Sequence, residues 1–358
     1  MFCTQPFNHI DIIVENDKVM LQPCNVWNIK KFGLEEYKNN VEDLKAILAN
    51  SYHHPGCEIC YNEDKKNIRS RRVAQNQFAE DNNLSLKKLQ SLGVRYGTLC
   101  NSKCMICSHH RSSSWVADAE KLGIKVEEKY RYKKNLLPGV DIFFDNFDLD
   151  DLRYVEFHGG EPLMQEYPAE FLEKIKKPEQ LIVKFNTNLT VLPSKKLERI
   201  LKRQKRVDML ISVDDIESRY EMLRYPGKWE KFIENLKNIK EKNYKLIAYN
   251  TISSLNVFYM IEFYTWAVKN FGSQVHSQFV TDKDFLDISY LPIHAKEKVL
   301  LKISKHKGSL FDSIREKLNV ANEDCSQKLF EYILKLDKIR KTNFAETFVE
   351  WWKILNDK

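Results

Sequence analysis

The sequence predicts an α/β protein assembled from parallel strand–helix units, and three observations carry that prediction. From residue 152 to 280, short strand patterns alternate with helical ones, and that alternation produces parallel βα units. An earlier strand pattern, 92–99, runs straight into Cys100-Asn101-Ser102-Lys103-Cys104-Met105-Ile106-Cys107, three thiols within eight residues. Polar residues and a glycine pair then recur at the C-terminal ends of the strand patterns, where sheets of this class bind ligands.

Length and composition bound the answer. A chain of 358 residues, 43% hydrophobic, is long for one ordinary domain and accommodates a barrel-like domain with an appendage. Its apolar runs are only a few residues, against the roughly 20 that span a bilayer. Met1-Phe2-Cys3-Thr4-Gln5 lacks a basic-then-apolar signal pattern. A soluble, cytoplasmic protein with no membrane partner is expected. The net charge of +7 permits an anionic partner without requiring one. Eight cysteines in that compartment indicate metal or redox chemistry rather than disulfides.

In chain order, residues 6–24 read as a hairpin: an alternating run at 9–14, a turn at Glu15-Asn16-Asp17-Lys18, and a second strand leading to Pro23-Cys24. A helix is predicted over 34–49, with Leu44, Ile47 and Leu48 on one face. His53-His54-Pro55-Gly56-Cys57-Glu58-Ile59-Cys60 follows as a turn whose Cys-x2-Cys pair can grip one ion or cluster. With Cys3 and Cys24 that pair makes four candidate ligands, for zinc or for an iron–sulfur cluster. The polar segment 81–88 links this small cysteine-rich α+β module, residues 1–84, to a barrel domain, 85–285.

Inside the barrel domain, Ser112-Ser113-Ser114 caps a helix at 115–122. Residues 124–150 are irregular and aromatic-rich, fit for a lid or for packing over the barrel. Strands are predicted at 153–157, 181–185, 207–213, 245–252 and 274–280, with helices at 169–175, 195–201, 228–240 and 257–270. The run 194–206, seven Lys and Arg against Glu198, reads as a solvated outer face, with a phosphate-binding patch as the alternative. From 286 to 358 the chain is helical, at 310–318, 327–339 and 344–355, a tail expected to cover an open barrel edge or mouth.

Three thiolates from one short loop form a soft, electron-rich pocket suited to iron–sulfur or zinc. They fall one short of the four ligands that close a structural zinc site, whereas a four-iron cluster held by three cysteines keeps one iron open. The Cys-x3-Cys-x2-Cys spacing after a strand resembles the signature of the radical S-adenosylmethionine (SAM) enzymes, with Ile106 where an aromatic residue commonly packs on the adenine. Gly159-Gly160-Glu161-Pro162, ending the next strand, is similar to that family's motif for the SAM amino group. Its glycines admit a close backbone approach, and its carboxylate can accept from an ammonium.

The resemblance implies a partial (β/α)6 TIM-type barrel and a 4Fe-4S cluster on Cys100, Cys104 and Cys107 whose open iron chelates SAM. It implies an oxygen-sensitive reaction: reductive cleavage of SAM to methionine and a 5′-deoxyadenosyl radical that abstracts hydrogen from a substrate. An electron donor such as flavodoxin or ferredoxin is implied with it. Ser212 and Asp214 fall where the family contacts the SAM ribose and carboxylate, and Arg224 where it places a carboxylate-binding arginine. Asn188 joins them by its strand-end position, and helix capping is the alternative role for the asparagines and aspartates. No catalytic residue is assigned.

Residues 1–80, including Ile68-Arg69-Ser70-Arg71-Arg72 and Asn76-Gln77-Phe78, resemble a twitch or SPASM-like auxiliary-cluster module. The module here precedes the barrel, and Cys24-Asn25 stands where a Cys-Cys pair is often found. This resemblance implies an auxiliary 4Fe-4S cluster on Cys3, Cys24, Cys57 and Cys60, serving as electron relay, electron acceptor or structure. It points to a peptide substrate, with a nucleotide, sugar or amino acid as alternatives. Cys325 is left over, read as a surface thiol rather than a hydrogen-atom donor. The rival of another class is a zinc-stabilised nucleic-acid-binding protein, which leaves Gly159-Gly160-Glu161 unexplained.

Overall fold

Among the described residues, eight strands form one open sheet in the order β2-β1-β3-β4-β5-β6-β7-β8. They are β1 (His9–Glu15), β2 (Lys18–Gln22), β3 (Ser91–Tyr96), β4 (Tyr154–His158), β5 (Ile182–Thr187), β6 (Arg206–Ser212), β7 (Lys245–Ile252) and β8 (Val275–Phe279). The computed structural model describes residues 2–27, 29–50, 54–65, 70–280 and 283–357, so His53, Ile68 and Arg69 of the N-terminal motif lie outside the described residues. The fold is a mixed α/β partial TIM-type barrel with a helical C-terminus. Strands β3 to β8 are the six expected from sequence.

The N-terminal hairpin is a difference from expectation. It turns at Asn16-Asp17 as predicted, with Glu15 opposite Lys18, but β1 then pairs in parallel with β3, Asp11 opposite Gly93. The sheet therefore has two strands beyond the six βα strands. The reason lies in β1 itself: six of its seven residues are buried, the signature of a strand covered on both faces. The helix Leu34–Ala49 lies where its periodicity predicts.

The chain divides into two compact units, one of residues 1–99, 128–186 and 193–208, the other of residues 100–127, 187–192 and 209–358. Neither coincides with the expected segments 1–84, 85–285 and 286–358.

In the first unit, alternation splits the strands into two faces. One is apolar, with Ile10, Ile12, Val14, Leu92, Val94, Val155, Phe157, Val183 and Phe185 all buried. The other carries charge. Asp11 lies between His9 (3.3 Å) and His158 (3.7 Å), and Arg95 pairs with Glu15. Glu156 faces Lys184 at 3.3 Å and Arg71 at 4.0 Å, and accepts from Asn186 Nδ2 at 2.9 Å. In the aromatic-rich segment, Phe143 is fully buried against Tyr96 and Phe171, so this ring serves packing.

In the second unit, the tail helices Ile293–Ile303, Ser309–Leu318, Ser326–Arg340 and Val349–Asn356 follow β8. Trp351 is fully buried; its ring stacks on Phe258 at 5.2 Å and its Nε1 donates to Ser254 O at 2.8 Å, just beyond β7. No helix among the described residues is long and apolar enough to cross a membrane.

Candidate functional site

The three-thiol loop is held largely through its backbone. Lys103 N–H donates to Tyr225 O (2.6 Å), Met105 N–H to Leu223 O (2.8 Å) and Cys107 N–H to Cys104 O (2.9 Å). The carbonyls of Cys100 and Ser102 accept from Ser114 Oγ (2.6 Å) and Ser112 Oγ (2.7 Å). Those of Cys104, Met105 and Cys107 accept from Trp115 Nε1 (2.9 Å), Tyr332 Oη (2.5 Å) and Lys283 Nζ (3.1 Å). The serines expected to cap the following helix make no side-chain capping bond; the hydroxyls of Ser112 and Ser114 bond this loop instead, because its carbonyls lie within their reach. An irregular loop with satisfied backbone groups can hold a fixed shape without a strand or helix.

Two of the three sulfurs receive side-chain donors. Asn188 Nδ2 lies 3.9 Å from Cys100 Sγ and also donates to Asn101 Oδ1 (3.0 Å) and Ser102 Oγ (2.9 Å). Arg224 Nη1 lies 3.8 Å from Cys104 Sγ, and its Nη2 is 2.7 Å from Asp214 Oδ2. Asp214 Oδ1 accepts from Thr251 N–H at 2.9 Å, and Asn250 and Asn256 donate to Asp214 O. Burial pushes the Cys104 thiol up to about 11 against the pull of Arg224, and burial raises Cys107 as well. Ligation needs the deprotonated sulfur, so bound metal must overcome that penalty. N–H donors aimed at sulfur stabilise a thiolate and are the outer partners that tune a ligating one, and in this respect the residues fit an iron–sulfur cluster. Asn188, Asp214 and Arg224 thus gather at the loop, while Ser212, half-buried, ends β6, and Ile106 is half-buried within the loop.

In the other unit, Gly159 and Gly160 both have positive φ, +82° and +58°. A Cβ on Gly160 would overlap the carbonyl oxygen of Leu99, and Glu161 N–H donates to that same oxygen at 2.7 Å. Leu99 is the residue before Cys100. Glu161 is 0% exposed and accepts from Leu163 N–H at 3.1 Å, so its carboxylate caps the short turn Pro162–Met164.

Cys3, Cys24, Cys57 and Cys60 line a cavity of about 20 Å³ together with Leu48 and Arg72. No disulfide joins the cysteines. Burial raises all four thiols, Cys3 to about 12 and Cys57 to about 11. Arg72, paired with Asp64, is a cation beside this cavity, and Arg71 also acts on Cys60. Among the described residues no group of three or more His, Cys, Asp or Glu is set to hold a single metal ion, which would need sulfurs within about 2.3 Å of one centre. Cys325 is half-buried, at the start of the helix Ser326–Arg340.

Sequence reasoning missed Tyr332, Lys283 and Trp115, and the charged face of β1, β4 and β5. The alternation in β1, His9 and Asp11 against Ile10 and Ile12, was the available signal for the latter. Nothing local marks the first two.

Residues 94–265 match the family model described as the Radical SAM superfamily. The matched stretch runs from β3 into the helix Met260–Phe271. No curated protein matches the sequence. Among solved structures, anSMEcpe with bound AdoMet and Cp18Cys peptide is 15% identical, covering 60% of this chain and 59% of that one, with a TM-score of 0.39. SuiB of Streptococcus suis bound to S-adenosylmethionine is 15% identical over 88% of this chain and 70% of that one, TM-score 0.36. TYW1 with a lysine-pyruvate adduct is 14% identical over 62% and 72%, TM-score 0.31. The chain spans about 59% of the length of the first of these.

Proposed function

We propose that this chain is a radical SAM enzyme, its family match lying at residues 94–265, that it holds a 4Fe-4S cluster on Cys100, Cys104 and Cys107, and that it abstracts hydrogen from a peptide substrate. The observation that carries the reading is the loop's construction: its carbonyls are bound by side-chain donors while Asn188 and Arg224 direct N–H groups at two of its sulfurs. When bound, the cluster and SAM supply a one-electron reduction and an acceptor for a substrate hydrogen atom.

The chain's own residues bind and orient. Gly159 and Gly160 let backbone approach the SAM amino group, with Glu161 as its charged partner. Ile106 packs on the adenine, and Ser212 contacts the ribose. Asp214 and Arg224, paired with each other, serve Cys104 rather than the SAM carboxylate alone. Cys3, Cys24, Cys57 and Cys60 hold an auxiliary iron–sulfur cluster, a role supported by their shared cavity. If four thiols ligate it fully, it relays or accepts electrons, or is structural. The peptide class rests on the resemblance of this N-terminal cysteine set to auxiliary modules; nucleotides, sugars and amino acids are the alternatives. A flavodoxin or ferredoxin in the cytoplasm supplies the electron.

Anaerobically purified protein should be brown, with iron and acid-labile sulfide for two clusters. Replacing Cys100, Cys104 and Cys107 together by Ala should leave about half the iron. Reductant plus SAM should yield 5′-deoxyadenosine slowly without substrate. Zinc in place of iron, or complete iron loss in a folded triple variant, overturns the two-cluster reading.

A further inference from the structure

Two side chains from beyond the family match, Lys283 and Tyr332, reach back to the three-thiol loop. Lys283 Nζ donates to Cys107 O at 3.1 Å and to Tyr332 Oη at 3.5 Å. Its ammonium also lies over the rings of Tyr332 (4.8 Å) and Trp115 (5.5 Å). Tyr332 Oη in turn donates to Met105 O at 2.5 Å. The helix Ser326–Arg340, which carries Tyr332, is tied down at its far end, where Arg340 Nε meets Asp118 Oδ2 at 2.9 Å and Asp118 Oδ1 takes Lys103 Nζ at 2.9 Å. The Arg340 guanidinium lies over Trp115 and Tyr225.

We propose that the helix Ser326–Arg340 is part of the cluster site, and that Lys283 and Tyr332 are positioning residues for the thiol loop, with Lys283 also setting the cluster's reduction potential. A cluster gains negative charge on reduction, so a fixed cation beside one of its ligands favours the reduced form. Lys283 is one such cation at Cys107: its Nζ bonds the Cys107 carbonyl at 3.1 Å, and its ammonium lies against the rings of Tyr332 and Trp115, which keep it from swinging into water. Tyr332 carries no charge and acts by holding Met105 in place. This inference rests on the assignment of an iron–sulfur cluster to Cys100, Cys104 and Cys107.

The test is a dithionite redox titration of full-length protein, following by electron paramagnetic resonance the signal that changes when SAM is added. Lys283→Met and Lys283→Gln should keep wild-type iron and sulfide but shift that signal's midpoint to more negative potential. Lys283→Arg should restore it. Tyr332→Phe should alter the signal's shape with a smaller change in midpoint. If Lys283→Met loses its cluster, Lys283→Gln, which retains a donor without the charge, decides alone. An unchanged midpoint in an iron-replete Lys283→Gln protein overturns the proposal. Absence of iron and sulfide from the wild type would instead overturn the cluster assignment beneath it.

Discussion

Asp11 on β1 and His158 on β4 meet across β3, over Gly93, with Asp11 Oδ1 and His158 Nε2 3.7 Å apart. The contact exists because Gly93 has no side chain: a Cβ there would overlap the Asp11 carboxylate. Asp11 is 3% exposed, and His9 on its other side is fixed by Ser91 Oγ at 2.6 Å. His158 immediately precedes Gly159, so the strand pairing of the N-terminal hairpin bears on the glycine pair through one side chain.

Gly93→Ala should destabilise the protein by about 1–3 kcal/mol, the usual range for overpacking. Chemical denaturation of Gly93→Ala, Asp11→Ala and the double variant checks the cause. The double variant should cost less than the sum of the singles, because Asp11→Ala vacates the space the new methyl needs. Strict additivity would show that the carboxylate does not occupy it.

Gly160→Ala should weaken SAM binding by about 1–3 kcal/mol while leaving iron content near wild type. The residue would need φ near +58° and would press on Leu99 O, and a non-glycine in strained backbone costs about 1–3 kcal/mol. Equilibrium binding of SAM to the reduced protein, beside an iron assay, makes the measurement; wild-type affinity would remove this turn from the SAM site. Glu161→Ala should weaken binding by about 1.5–3 kcal/mol, the worth of a charge-assisted bond.

Glu156 should make the fold acid-sensitive. Burial alone would raise its carboxyl, but Lys184, Arg71 and His158 outweigh burial and hold it at about 2. A lowered folded pKa stabilises above the unfolded value of 4.5 and is lost as pH falls from there toward about 2. The shift corresponds to about 3 kcal/mol. Thermal or urea unfolding between those pH values should show a shallower pH dependence for Glu156→Gln than for wild type, and equal slopes would contradict the pairing.

Breaking the Asp214–Arg224 pair from one side should cost more than removing both partners. Asp214 is 2% and Arg224 8% exposed, and a buried charge stripped of its partner costs about 3–5 kcal/mol. Arg224→Met should therefore destabilise strongly and lower iron retention, whereas Asp214→Leu with Arg224→Met should recover part of the loss. Denaturation midpoints and iron per chain report the two effects separately.

Sequence by itself determined the strands β3 to β8, most of the helices, the thiol loop and the glycine turn, because each is written in contiguous residues: strand alternation, apolar spacing, capping residues and cysteine spacing all act within a turn or two of chain. Tertiary structure alone decided that β1 pairs with β3, that Asp11 fills the space over Gly93, that Arg224 serves Asp214 and Cys104 together, and that the tail grips the loop. These contacts join residues far apart, 120 positions for Arg224 and Cys104, 176 for Lys283 and Cys107, 227 for Tyr332 and Met105. The physical reason is that a hydrogen bond or ion pair needs a particular atom within about 3 Å, and no local preference of either segment states where the other will lie. A lysine in the connection after β8, or a tyrosine on a tail helix, has the same local chemistry whether it faces water or the thiol loop, and only the packing of the whole unit selects between them.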